Sequence, residues 1–447
     1  MALIYSTIAM LFISPSINIH LTSLPIRKFA PCSDAPFEYQ IIAKFALLKI
    51  SKEMKEPKKI NRLEVILKIT ERCNIDCTYC YYFNGNNHDY TSQPAYLDIN
   101  TAKSVATYLR DAVRAYSVDE IQIDLHGGEP LLMKKSRMCD ILEIFRNSIS
   151  DPADLRISIQ TNATLLDEEW ISIFVKYNVS VGVSLDGPPQ ENDLHRVDKN
   201  GNGTHSAVAK SIAMLIEKNK THEGIFAGVI CVVNPDFDGR KIYRHFVDDL
   251  GVERIHFLKS NQTRDAADTR LTDGTGQFLM GALNEWINDS SRNIYVRQFT
   301  DPLKRICAPD SSKSLPYRFV AMTVRANGEI AIDDDFRNTL PSLFKLGLSV
   351  SNSTLADFIN HPKVADFHRA CDEVPSFCSQ CGAKGICQSG AGLGESVLHR
   401  YSFINKFRNA SLFCKNHQAV IIGLGKFALS HGVPWETIEK NMTGHQI

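Results

Sequence analysis

The sequence predicts an α/β protein: an open, partial (β/α)6 barrel followed by a smaller cysteine-rich module. Three observations lead there. Between Arg62 and about Ser260, short apolar stretches alternate with longer stretches whose apolar residues recur at helical spacing. The run Cys-Asn-Ile-Asp-Cys-Thr-Tyr-Cys, carrying Cys73, Cys77 and Cys80, directly follows the first apolar stretch. After about Thr300 the helical stretches shorten, and Cys307, Cys371, Cys378, Cys381, Cys387 and Cys414 appear.

The expected strands are 63–69, 121–125, 155–160, 179–185, 226–233 and 255–258. Helices are expected over 101–115, 134–148, 167–177, 206–218 and 238–250. Apolar strands buried on both faces, with helices between them, mean parallel βαβ units. In such sheets the chemistry gathers at the C-terminal ends of the strands. The cysteine run falls at that end of the first strand. The later segment reads as a loop-rich module held by metal rather than by a large core.

Composition narrows the class. The 447 residues suffice for one large domain and a smaller one. Hydrophobic residues make up 44% and charged residues 22%, an ordinary globular balance. Fifty basic and fifty acidic residues give a formal net charge of +0, with no basic excess to suggest nucleic-acid binding. The 12 cysteines are clustered in a chain too large for a disulfide-stapled miniature. Thiols that must stay reduced point to a cytoplasmic metalloprotein. The apolar start, Met1–Ile13, lacks a positive flank and ends at Ser14-Pro15, which is too short for a membrane span. Residues 1–60 therefore read as an N-terminal extension or a mis-called start, with Met54 the alternative, and no membrane is expected.

Three thiolates at C-x3-C-x2-C spacing can ligate three irons of a [4Fe–4S] cube, leaving one iron open for a small molecule. The competing reading is a zinc knot. Zinc sites usually add a second cysteine pair or histidines nearby, and no second pair lies within the next hundred residues.

The cysteine spacing resembles the radical S-adenosylmethionine (SAM) superfamily, and further features agree with that resemblance. His126-Gly127-Gly128-Glu129-Pro130 follows the second strand. It is similar to the family's Gly-Gly-Glu motif, which implies that Gly127, Gly128 and Glu129 hold the SAM amino group. Tyr79 precedes the third cysteine, where the family places an aromatic whose backbone contacts adenine. Gln160-Thr161-Asn162 ends the third strand and Ser184-Leu185-Asp186-Gly187 the fourth, and Arg196 follows. The resemblance assigns Ser184 to the ribose and Arg196 to the SAM carboxylate, as suits a hydroxyl and a forked guanidinium. Asn162 and Asp186 read equally as turn or cap residues. The implied chemistry is reductive SAM cleavage to a 5′-deoxyadenosyl radical, fed by an electron donor such as flavodoxin or ferredoxin.

Cys378, Cys381 and Cys387 form a C-x2-C-x5-C run, with Cys414 downstream. Four thiolates satisfy either a closed cluster or zinc. The run resembles the SPASM domain of radical SAM peptide modifiers, which favours an auxiliary [4Fe–4S] cluster. The resemblance implies a radical SAM barrel over 61–300 and a SPASM-like domain over 301–447. The sequence departs from that family where further cysteines are expected, near Asp333 and at Ala391. A second, inner cluster would therefore need Cys307, Cys371 and a carboxylate or another atypical ligand. Asp334 aligns with an aspartate that serves as a base in sulfatase-maturing relatives; its competing reading is a solvated turn. Cys139 and Cys231 read as structural, as does Cys32.

SPASM-bearing enzymes mostly act on ribosomally made precursor peptides. The stretch 388–401 resembles the subgroup that cross-links an aromatic ring to a nearby side-chain carbon, forming cyclophanes or darobactin-type bicycles. The alternatives are a sulfatase-maturing enzyme that makes formylglycine, a thioether-forming maturase, and a non-catalytic iron–sulfur or zinc scaffold.

Overall fold

The computed structural model describes residues 59–149, 153–289, 292–308 and 319–444. Met1–Ile13, Met54 and Cys32 lie outside the described residues, so the reading of the extension is not addressed by them.

The described residues form one ten-stranded sheet in the order β10-β9-β8-β1-β2-β3-β4-β5-β6-β7. Its strands are β1 (Ile60–Thr70), β2 (Val118–Gly127), β3 (Asp154–Thr161), β4 (Val179–Ser184), β5 (Phe226–Val232), β6 (Arg254–Leu258), β7 (Tyr295–Val296), β8 (Phe319–Val324), β9 (Glu329–Ala331) and β10 (Lys345–Ser349). From β1 to β7 every neighbouring pair is parallel. The six expected strands are the first six, each separated from the next by helix, as the alternation requires.

The helices start where side chains satisfy orphan backbone donors. Asp98 caps Ile99–Tyr116, Asp167 caps Glu168–Lys176, and Asp238 caps Gly239–Arg244. The last of these runs on as a π-helical turn over His245–Asp249 rather than continuing as a regular helix to 250.

Two expectations need correction. The strands are buried, but only one face is apolar. Leu63, Val65, Leu67 and Ile69 of β1, with Ile121, Ile123 and Leu125 of β2, lie inside the core that the helices cover. Alternate residues carry Glu64, Lys68, Gln122, Asp124, His126, Ser158 and Gln160. Because side chains alternate across a strand, these share the other face. That face is a network of its own: Gln122 and Ser158 both donate to Asp124, and Gln160 donates to Ser184 at 2.8 Å.

The segment after Thr300 is also more than loops. Strand β8 lies parallel to the other edge of β1, and β9 and β10 add antiparallel pairs beyond it. Val320, Met322, Val324, Ile330, Phe336, Phe344, Phe358 and Val364 are fully buried, each contributing roughly 1.5–3 kcal/mol by leaving water. The segment after Thr300 thus has an apolar core and continues the same sheet. Among the described residues, no helix is long and apolar enough to cross a membrane.

Candidate active site

The cysteine loop leaves the C-terminal end of β1 and is pinned on two sides. On one side, Gly128 N–H donates to the Thr70 carbonyl at 3.0 Å and Glu129 N–H to the Arg72 carbonyl at 2.8 Å. Gly127 has φ +153°, and a Cβ on Gly128 would stand 2.1 Å from the Arg72 carbonyl oxygen. Only glycine permits so close an approach. On the other side, Asp76 N–H donates to Val197 and Thr78 N–H to His195. Arg196 lies between those two acceptors, so the loop that carries the cysteines also fixes Arg196.

All three cysteines are free thiols. Burial pushes the Cys73 thiol up to about 12, with Glu129, Cys77 and Cys80 adding to the effect. Burial likewise pushes Cys77 up to about 11; nearby Arg196 opposes the shift and Cys80 reinforces it. Thiols this buried and mutually repelling become thiolates only against positive charge, which an iron cluster supplies. Among the described residues, no three His, Cys, Asp or Glu side chains converge on a single-ion site. A cube spreads its thiolates over separate irons.

Arg196 is buried, and its Nη1 donates to the Tyr79 hydroxyl at 2.9 Å. Its Nε has no partner, which leaves a buried cationic donor available to a carboxylate. The Tyr79 hydroxyl in turn donates to Asp186, and Asp186 also accepts from Val232 N–H at 2.9 Å. Asp186 is therefore a brace between β4 and β5. Tyr79 is 38% exposed, so it is not a core aromatic.

Glu129 differs from the simplest expectation. It is fully buried, and its carboxylate already accepts from Leu131 N–H, the Thr161 hydroxyl and Asn162 N–H. Toward a ligand it offers a fixed negative charge and its remaining lone pairs. Asn162 is a turn residue that caps Thr164 N–H, and its amide reaches Asn74 at 2.9 Å and the Cys73 sulfur at 3.9 Å.

Asp334 is not in a solvated turn. It is 4% exposed, and Lys68 Nζ donates to its Oδ2 at 2.5 Å. The Tyr81 hydroxyl donates to the same oxygen, and Oδ1 is buried without a partner. Burial, the largest single influence, raises Asp334, but the Lys68 charge, His126 and the two donated bonds together outweigh it, and the carboxyl falls below the ordinary aspartate range. Burial, then Lys68, push His126 down to about 3, so its imidazole is neutral. Burial and then Asp335 raise the neighbouring Asp333.

In the C-terminal segment, Cys414 interacts electrostatically with Cys378 and Cys381, and Cys387 with Cys414 and Cys378. The four outer cysteines therefore lie within electrostatic range of one another. Cys371 faces Arg400, Asp372 and Asp333. Burial alone moves Cys307, and among the described residues no electrostatic interaction links it to Cys371. Cys139 packs against the main core and Cys231 lies within it.

Sequence reasoning missed Lys68, Tyr81 and His126 as partners of Asp334, although Lys68 interrupts an apolar strand at its period-two position. It also missed the buried hub at Glu395. Lys259 Nζ at 3.0 Å and His399 Nδ1 at 2.9 Å both reach that carboxylate, as do Ser411 and His417. Cys387 lies 3.9 Å from His417 Nδ1.

Comparison with known proteins places this geometry. Residues 67–238 match the family model described as the Radical SAM superfamily. A serine-type anaerobic sulfatase-maturating enzyme of Bacteroides thetaiotaomicron is 24% identical over 354 residues, covering 74% of this chain and 81% of the relative. A cysteine-type anaerobic sulfatase-maturating enzyme of Clostridium perfringens is 26% identical over 341 residues, covering 71% and 85%. Among solved structures, native anSMEcpe with bound AdoMet superposes with a TM-score of 0.67 at 20% identity, covering 83% of this chain and 97% of that one. Streptococcus suis SuiB reaches 0.50 at 13% identity, covering 80% and 78%. These likenesses to solved structures show the fold. The family match falls on the segment that carries the cysteine loop, the Gly127–Glu129 turn and Arg196, and over that segment the chain is similar to radical SAM enzymes.

Proposed function

We propose that this enzyme modifies a ribosomally made precursor peptide, joining an aromatic ring to a nearby side-chain Cβ. The observation that carries the reading is Asp334: a buried carboxylate held ionised, with one free oxygen, on the segment that packs against the cysteine loop. In this proposal Cys73, Cys77 and Cys80 hold the catalytic cluster. Gly127, Gly128, Glu129, Asn162, Ser184, Tyr79 and Arg196 hold SAM, and Cys378, Cys381, Cys387 and Cys414 hold an auxiliary cluster. Bound there, these groups supply a 5′-deoxyadenosyl radical that takes a hydrogen atom and an acceptor for one electron.

The chain's own residues do the rest. Arg196 forks onto the SAM carboxylate, and the Gly127–Gly128 backbone admits the amino group beside Glu129. A Cβ radical that adds to a ring restores aromaticity by losing one electron and one proton, and Asp334 Oδ1 accepts that proton. The net change is the loss of two hydrogens per bond. A flavodoxin or ferredoxin as electron donor and a cytoplasmic setting belong to the same proposal.

A second reading is formylglycine formation. It is favoured by the sulfatase-maturating relatives and by the fold shared with anSMEcpe, whose solved forms include one with bound AdoMet and Cp18Cys peptide. A base at Asp334 serves that oxidation as well. Coexpression with a short peptide encoded nearby, followed by tandem mass spectrometry, separates the two. Loss of two hydrogens mapped to an aromatic and a neighbouring residue, inert to hydrazides, supports the cross-link. A hydrazide-reactive aldehyde at Ser or Cys supports formylglycine.

A further inference from the structure

We propose that Lys68 is a positioning residue for the proton-transfer step. It clamps Asp334 through Oδ2 so that Oδ1 alone remains to accept the substrate proton, and His126 holds Lys68 in that pose. This rests on the reading of Asp334 as the base and adds the residue that makes it one.

The geometry is specific. Lys68 is fully buried on the polar face of β1. Its Nζ lies 2.5 Å from Asp334 Oδ2, 2.9 Å from His126 Nδ1 and 4.6 Å from the centre of the Tyr82 ring. An ammonium removed from water is tolerated only when paired and hydrogen-bonded, and here carboxylate, imidazole and aromatic face supply the partners. Neutral His126 must present its bare Nδ1 lone pair to Lys68, so its proton sits on Nε2. The Tyr81 hydroxyl gives Oδ2 its second donor. Two donors on one carboxylate oxygen fix the rotamer and make that oxygen the poorer base. Oδ1 has no donor.

The groups facing Asp334 come from three other segments and its own: Lys68 on β1, His126 on β2, Tyr81 and Tyr82 after the cysteine loop, and Asp333 and Asp335 beside it. Lys68 is the cation among them. Without it, burial pushes the Asp334 carboxyl toward its protonated, unreactive form.

The test is the pH dependence of modified peptide formed per 5′-deoxyadenosine released, for the wild type, Lys68→Met, Lys68→Arg and Asp334→Asn. Lys68→Met should move the acidic limb of the profile up by about one pH unit or more, the size expected when an opposite charge at this range is lost. Lys68→Arg should restore the limb. If Lys68→Met does not fold, Lys68→Gln, which keeps a hydrogen-bond donor without the charge, takes its place and should move the limb in the same direction. An unmoved limb in the uncharged Lys68 variant, or a limb that Lys68→Arg fails to restore, overturns this proposal while Asp334→Asn still abolishes product. Normal product from Asp334→Asn overturns the reading of the base itself.

Discussion

Arg337 donates a hydrogen bond of 2.7 Å to the backbone carbonyl of Tyr82, 255 positions earlier in the chain. The same guanidinium bonds the Asn87 carbonyl and the Asp89 carboxylate and lies 3.9 Å from the centre of the Tyr82 ring. Arg325 meets Asp89 from β8–β9 at 2.8 Å. The exit of the cysteine loop is therefore fastened to the segment after Thr300. Replacing Arg337 with Met leaves buried acceptors unpaired and Asp89 short of a partner, and should cost about 3 kcal/mol or more; a shift in the denaturant midpoint measures it.

The same contact carries a pH dependence. Burial raises Asp89, but the hydrogen bonds and charges of Arg325 and Arg337 outweigh it, and the carboxyl sits below the ordinary aspartate value. A depressed folded-state value stabilises the protein above the unfolded value, and this contribution is lost as pH falls through the folded one. Stability should therefore decline below about pH 4. Asp89→Asn should flatten that part of the curve.

How much of this was legible in the sequence varies by element. The first six strands and their helices followed from apolar spacing, and the cysteine loop, the Gly127–Glu129 turn and Arg196 followed from motif order. The polar strand face could have been read from Ile121-Gln122-Ile123-Asp124-Leu125, whose alternation is plain, yet the apolar residues dominate a short window. Strands β8–β10 were missed because Phe319–Val324 pairs with β1 across more than 250 residues. No local pattern announces such a partner. The contacts of Lys68 with Asp334, Arg337 with Tyr82 and Glu395 with Lys259 are long-range for the same reason.

Gly128→Ala tests the approach of the turn to the cysteine loop. Its Cβ would collide with the Arg72 carbonyl, one residue before Cys73, so the backbone must move. Iron bound by the N-terminal cysteines and SAM affinity should fall together, as read by iron analysis and equilibrium dialysis. Normal values of both would show that the turn tolerates a side chain.

Arg196→Lys keeps a positive charge but loses the fork and the Nε donor. If Arg196 holds the SAM carboxylate, affinity should drop by about 1.5–3 kcal/mol, the worth of hydrogen bonds to a charged group. Calorimetric titration of reconstituted enzyme with SAM reads this directly. An unchanged affinity would assign Arg196 a purely structural role.

Glu395→Gln tests the hub that ties β6 to the C-terminal cysteines. The carboxylate and Lys259 are both almost fully buried, so removing the charge strands a buried ammonium. The expected loss is about 3–5 kcal/mol, seen as a lower thermal midpoint. A change within error would mean that water reaches Lys259.

The most direct measurement is 5′-deoxyadenosine formation by reconstituted protein in which Cys73, Cys77 and Cys80 are all changed to Ala. The account predicts no SAM cleavage, with iron still held at Cys378, Cys381, Cys387 and Cys414. SAM cleavage that survives the triple change would contradict it.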